Sequence, residues 1–167
     1  MELQIDTREH KKELERIKKQ LNRLDVRYFM SKLYCGDYMS LHNARLVIDR
    51  KKDLAEVCTN ICQQHERFRK ELQRAKEHGI TIIILIEHGE GIEKLEDVYF
   101  WVNPRSLPSH WIMKDGHPMK VAASPNAVTG PSLYRALCTI RDRYGVRFEF
   151  CQKKDTGAKI VELLGGE

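Results

Sequence analysis

Apolar positions along the chain follow two periods, and the changes from one to the other mark out its elements. ELQID (2–6) alternates as a short strand does, and from Glu9 to about Leu24 the apolar residues Leu14, Ile17, Leu21 and Leu24 return at the spacing of one helix face. VRYFMSKLY (26–34) and ARLVIDR (44–50) are rich in β-branched and aromatic residues and are parted by Gly-Asp and His-Asn, which predicts two successive strands paired antiparallel. A long amphipathic helix is predicted from about Asp53 to His78, with Leu54, Val57, Ile61, Phe68 and Leu72 on one face and Gly79 as its stop. TIIILIEH is apolar over a strand's length, which predicts a strand covered on both faces. All five prolines fall between 104 and 131, so 99–131 is predicted as a loop-rich insertion with a hairpin turning at Asp115-Gly116. Ser132 then opens a helix carrying Leu133, Leu137, Ile140 and Tyr144, followed by a strand, VRFEFC, and a short helix near AKIVELL. The order predicts one α/β domain, without internal repeats or low-complexity tracts.

Composition narrows this picture. The 167 residues are 41% apolar, enough for a single core over 1–167. Lys and Arg number 29 against 24 acids, a net charge of +5 that favours a polyanion over an acidic protein surface as partner. On the first helix Lys11, Lys12, Arg16, Lys18, Lys19 and Arg23 read first as a solvated face and second as a phosphate-facing one. No run of about 18 apolar residues exists and the N-terminus lacks the layout of an export signal, so a cytoplasmic location is expected. Five cysteines without a C-x-x-C are expected to be reduced thiols. Cys58, Cys62 and His65 share a helix face with apolar residues and read as core rather than as metal ligands.

The chemistry concentrates in GDYMSLHNARLVIDRKKDL (36–54). On a strand, Asp49 and Lys51 project from one face while Ile48 and Arg50 project from the other. If the chain from Gly36 pairs beside that strand, Asp37 approaches Asp49, and two such carboxylates repel unless a cation or proton lies between them. Mg2+, with Mn2+ as a substitute, suits such a site, because it takes one or two carboxylates and keeps waters and a substrate phosphate as its other ligands. That arrangement suits phosphodiester hydrolysis, with Lys51 positioned to hold water or to neutralise charge growing on the phosphate. Asp6, at the end of the first strand, offers a third acid for the catalytic and metal set. The pattern is short, and the same residues also suit a polar strand end with Asp53 capping the following helix.

The ordered set IDTRE, GDY, VIDRK opening a helix with HERFRKEL, and the strand ending in LIEH resembles the nuclease domain of XPF-type structure-specific endonucleases. TGPSLYRALCTIRDRYGVRFEFC looks like the terminal helix, strand and helix of that domain, leaving only the proline-bearing insertion outside the likeness. The resemblance implies a restriction-endonuclease-like fold, a central mixed β-sheet flanked by helices, and Mg2+-dependent cleavage of branched or flapped DNA. Inactive DNA-binding partner subunits of the same fold, and restriction or recombination nucleases, are the alternatives it leaves. It also implies roles in DNA repair and recombination. Against the family's Gly-Asp, Glu-Arg-Lys, x3, Asp hallmark, Asp37, Arg50 and Lys51 match and Asp49 replaces Glu. The distal acid falls at Ala55, with Asp53 nearby.

By the same resemblance Asp6 is an active-site acid and Arg8 and Glu9 lie at the rim near DNA, and Arg50 is expected with them among the residues that reach DNA. Family members typically carry a tandem helix-hairpin-helix module after the nuclease domain, whereas this sequence ends at Glu167, so DNA grip is expected from Arg67, Arg69, Lys70 and Arg74 and from Arg105, Trp111, Lys114 and Lys120 of the insertion. Trp101 and Trp111 are expected to pack over the sheet, with stacking on unpaired bases as the other use. The helix of Leu133 to Tyr144 is implied in a homodimer, although the same residues serve equally as core.

Overall fold

One strand order, β2–β1–β3–β4–β5–β8, organises the computed structural model, which describes residues 1–62, 65–89 and 91–165. In chain order the elements are β1 (Glu2–Ile5), α1 (Lys11–Arg23), β2 (Arg27–Met30), β3 (Tyr38–Ser40), β4 (Asn43–Lys51), α2 (Leu54–Cys62), α3 (His65–Glu77) and β5 (Thr81–Glu87). They continue with two 3-10 turns (Leu95–Phe100 and Pro104–Ser106), a separate hairpin of β6 (Pro108–Lys114) and β7 (His117–Ala122), then α4 (Gly130–Tyr144), β8 (Arg147–Cys151) and α5 (Thr156–Leu163). β1–β2, β4–β5 and β5–β8 run parallel, while β1–β3 and β3–β4 run antiparallel, so the expected α/β domain with a central mixed sheet is what forms. Among the described residues no helix is long and apolar enough to cross a membrane.

β5 shows why its sequence is apolar without interruption. Ile82, Ile84 and Ile86 pack with Leu54, Val57, Phe68, Leu72, Leu133 and Leu137 of α2, α3 and α4. Ile83 and Leu85 pack on the opposite face with Leu14, Ile17 and Leu21 of α1 and Ile160 of α5. Burying a side chain of this size contributes roughly 1.5–3 kcal/mol, so this central strand anchors both layers. Leu133 and Leu137, implied in a dimer or in the core, lie in the chain's own core.

The predicted antiparallel pairing of 26–34 with 44–50 does not form. β2 stops at Met30 and lies parallel to β1 at the sheet edge, because α1 carries the chain back over one face before it re-enters the sheet. The neighbour of β4 is β3, whose three residues are too few to display a period. The predicted helix over 53–78 is described as α2 and α3, with residues 63 and 64 outside the described residues. Cys58 is buried as expected, whereas Cys62 and His65 are exposed, and all five thiols are free.

The insertion holds more structure than loops. Its hairpin turns at Asp115 (φ 50°) and Gly116 (φ 79°), the pair of positive φ angles that a two-residue type I′ turn requires. Trp101 is buried in the core as expected, but Trp111 is 68% exposed on β6 and does not pack over the sheet. On α1, Lys11, Lys12, Lys19 and Arg23 face solvent, while Arg16 turns inward.

Candidate active site

Gly36 adopts φ +69°, and a Cβ there would stand 2.9 Å from the carbonyl oxygen of Ile48. Only glycine allows the chain to press so closely against β4. The next residue is thereby fastened on both sides: the Asp37 N–H donates to Ile48 O at 2.7 Å, and the Asp6 N–H donates to Asp37 O at 2.8 Å. The Asp37 carboxylate Oδ2 accepts the Arg50 N–H at 2.8 Å, which caps the end of β4.

Asp49 and Lys51 leave β4 on its α2/α3 side, as alternation predicts, and the Lys51 ammonium donates to Asp49 Oδ1 at 2.8 Å. Both are buried, and the ammonium stands 5.9 Å from the centre of the Phe68 ring. Burial pushes the Asp37 carboxyl well above the usual carboxylate range, and the charges of Asp49 and Glu9 push it further than Lys51 and the Arg50 N–H pull it back. Burial acts to lower the Lys51 pKa, but Asp49 and then Asp37 outweigh it and keep the ammonium protonated. Asp37, Asp49, Lys51, Lys52 and Glu56 line one cleft of about 610 Å³ together with Arg8 and Glu9. Asp49 is paired with Lys51 but Asp37 stays disfavoured as an anion, so the cleft could take a hard cation that needs one or two carboxylates.

Asp6 does not join this pair. Its Oδ1 accepts from Nε and the N–H of Arg8, each at 2.7 Å, and its Oδ2 accepts from Arg8 Nη2 and the Leu33 N–H, again at 2.7 Å each. Burial acts to raise its pKa, but these bonds prevail and hold it below the usual range. Its oxygens are spent on fixing the chain around Arg8 and Leu33, and among the described residues no three His, Cys, Asp or Glu side chains gather as a metal-ligating group.

Two further expectations change on the other side of β4. Arg50, expected to reach DNA, is buried: its Nη2 donates to Glu9 Oε1 at 2.7 Å and its Nη1 to Glu87 Oε2 at 3.2 Å. Glu9, expected at the rim beside DNA, spends its other oxygen on the Tyr38 hydroxyl at 3.1 Å. Glu87 also accepts from Arg16 Nη2 at 2.5 Å and from the Thr156 hydroxyl at 2.7 Å. Sequence reasoning missed Glu87, Arg16 and Thr156 as a unit. The available signal was a charged residue closing an otherwise apolar strand, since a carboxylate there must find a partner.

Arg67, Arg69 and Lys70 line a second and larger groove of about 960 Å³ with Arg74 and Arg143, where Glu66 is the one acid. That groove suits a phosphate backbone, whereas the carboxylate cleft suits a cation. Arg8 joins the cleft with its side chain 54% exposed.

A family model of the ERCC4 domain matches residues 5–164. Comparison with curated proteins finds no match. Among solved structures, XPF from Aeropyrum pernix is similar with a TM-score of 0.63 and 20% identity over 98% of this chain and 63% of that one. XPF from Aeropyrum pernix in complex with DNA is similar with a TM-score of 0.62 and 20% identity over 98% of this chain and 62% of that one. The chain thus spans under two thirds of the length of these relatives, and at such identity the likeness shows a shared fold. With a family match that runs from β1 to α5, the chain belongs to the ERCC4 domain family.

Proposed function

We propose that this protein is a metal-dependent, structure-specific DNA endonuclease that hydrolyses phosphodiester bonds at branched or flapped DNA, with Mg2+ held by Asp37 and Asp49. The observation that carries the reading is Asp37 and the buried Asp49 with a protonated lysine in the same cleft of an ERCC4 domain. One of the similar XPF structures is a complex with DNA, which supports DNA as the partner. A bound Mg2+ supplies polarisation of the phosphoryl oxygen and a more acidic bound water.

The chain's own residues do the rest. Lys51 is held as a cation by Asp49, so it serves as a hydrogen-bond donor to charge growing on the phosphate and not as a base. Asp37, disfavoured as an anion, gains most from a neighbouring positive charge. The buried Glu9–Arg50–Glu87 ion pairs lock the opposite face of β4 and so fix where Asp49 and Lys51 point. Arg67, Arg69 and Lys70 hold the backbone of the duplex by releasing its counterions.

Labelled flap, splayed-arm and plain duplex DNA, each incubated with and without Mg2+, test the reading. Cleavage of the branched substrates is expected only with Mg2+. Binding of all three without any cleavage, unchanged in Asp49→Asn, would establish an inactive partner subunit instead.

A further inference from the structure

We infer that the β6–β7 hairpin is an arm that holds unpaired DNA by stacking a base on Trp111. A lone two-stranded hairpin is marginally stable in water, yet this one is closed at both ends. At its tip is the Asp115-Gly116 turn. At its root the Ser124 N–H donates to Arg105 O at 2.9 Å. The buried Asn103 clamps the same neck: its Nδ2 donates to Val128 O at 3.0 Å, and its Oδ1 accepts the Arg105 N–H at 3.1 Å. The arm is therefore fixed where it leaves the domain.

Every residue of β6 is exposed. Trp111 stands opposite Lys120 and Met113 opposite Pro118, so these four side chains share one face. Trp111 is 68% and Met113 70% exposed, an aromatic and apolar surface that the core does not use. A surface of this kind marks a binding site.

Charge decides the occupant. Over residues 104–122 the basic side chains are Arg105, Lys114 and Lys120, and the single acid is Asp115. The Lys120 ammonium lies 5.6 Å from the centre of the Trp111 ring. A ring with the Lys120 cation beside it disfavours an apolar protein surface, which would have to bury that charge unpaired. It matches a nucleotide, whose base takes the ring while its phosphate takes the lysine. Bases in a duplex are already stacked on both faces, so the matching strand is an unpaired one. The inference rests on the reading of this protein as acting on DNA, and it gives branched substrates a feature that the hairpin recognises.

Fluorescence of the full chain titrated with an oligothymidylate in EDTA tests this without any cleavage. Trp101 is 7% exposed, so quenching reports on Trp111. The oligonucleotide is expected to quench emission to saturation. By anisotropy of a labelled strand, Trp111→Ala should weaken binding roughly 5- to 150-fold, the range for loss of one base stack. Trp111→Phe should recover most of that loss, and binding of plain duplex should stay within about twofold for both variants. Equal oligonucleotide affinity of wild type and Trp111→Ala would overturn the inference. So would equal losses on single strand and duplex, or a concentration-dependent dimer abolished by Trp111→Ala. Single-strand binding through Trp111 in a protein that never cuts DNA would sink the nuclease reading and leave this one standing. Flap cleavage with no role for Trp111 in strand binding would do the reverse.

Discussion

Lys51 and Asp37 carry opposite consequences for the same cleft. Lys51 is one cation among many for attracting DNA, but among the described residues the one lysine bonded to Asp49, so Lys51→Ala should lower turnover by roughly 100-fold or more while DNA affinity changes little. Single-turnover rates and anisotropy measured together check this, and equal losses in both would contradict it. For Asp37 the sign follows from its raised pKa. The folded protein holds that proton more tightly than the unfolded chain does, so the stability this proton brings is full below pH of about 4 and is lost as pH rises through the folded value. Asp37→Asn keeps an acceptor for the Arg50 N–H and removes the buried charge. In EDTA near neutral pH it should melt above wild type, with the difference vanishing toward pH of about 4, and it should not cleave DNA. A lower melting temperature at neutral pH would contradict the burial argument. That Asp37, Asp49 and Lys51 meet in one cleft was legible, because strand alternation and the Gly-Asp pair both point to it. The bonding of Asp6 was not legible, because a sequence does not show which hydrogen bonds occupy a carboxylate, and here Arg8 and Leu33 take both oxygens.

β4 works as a two-sided strand, with the Asp49–Lys51 pair on one face and the Glu9–Arg50–Glu87 pairs on the other, and the cleft at its end is lined by residues of both faces. Arg50→Met should destabilise the fold by about 3–5 kcal/mol, because it leaves the buried Glu9 without its cation and takes from Glu87 one of the two arginines that hold it, Arg16 being the other. Adding Glu9→Gln and Glu87→Gln to it should restore much of that loss, since the uncompensated charges leave with the acids. Urea unfolding of the single and triple variants measures both, and a triple variant no more stable than the single would contradict the charge argument. Elements with strong periods were readable: α1, β5, α4 and the Asp115-Gly116 hairpin lie where the pattern put them. β3 was not, because three residues carry no period and the strand exists through its hydrogen bonds to β1 and β4. The partner of β2 was misjudged for a related reason. Pairing depends on the path of α1 across the sheet, which local composition does not encode.

The net charge of +5 is unevenly distributed once the chain folds. Basic residues gather along the groove of α3 and on the hairpin, while acids converge at the ends of β1, β4 and β5. Composition suggested a polyanion as partner, but the separation of the basic groove from the cleft of Asp37 and Asp49 arises only from the folded arrangement of the elements. The exposure of Trp111 was equally hidden, since the hairpin pattern reads the same whether or not it packs on the domain. All of this depends on Asp37 and Asp49 acting as one cation site. Mn2+ binding followed by electron paramagnetic resonance, in wild type and in Asp37→Asn, Asp49→Asn and Asp6→Asn, measures that directly. Wild type and Asp6→Asn are expected to bind the ion alike, and Asp37→Asn and Asp49→Asn each to lose it. Undiminished binding in either of the last two variants, or no binding by the wild type, would contradict the account.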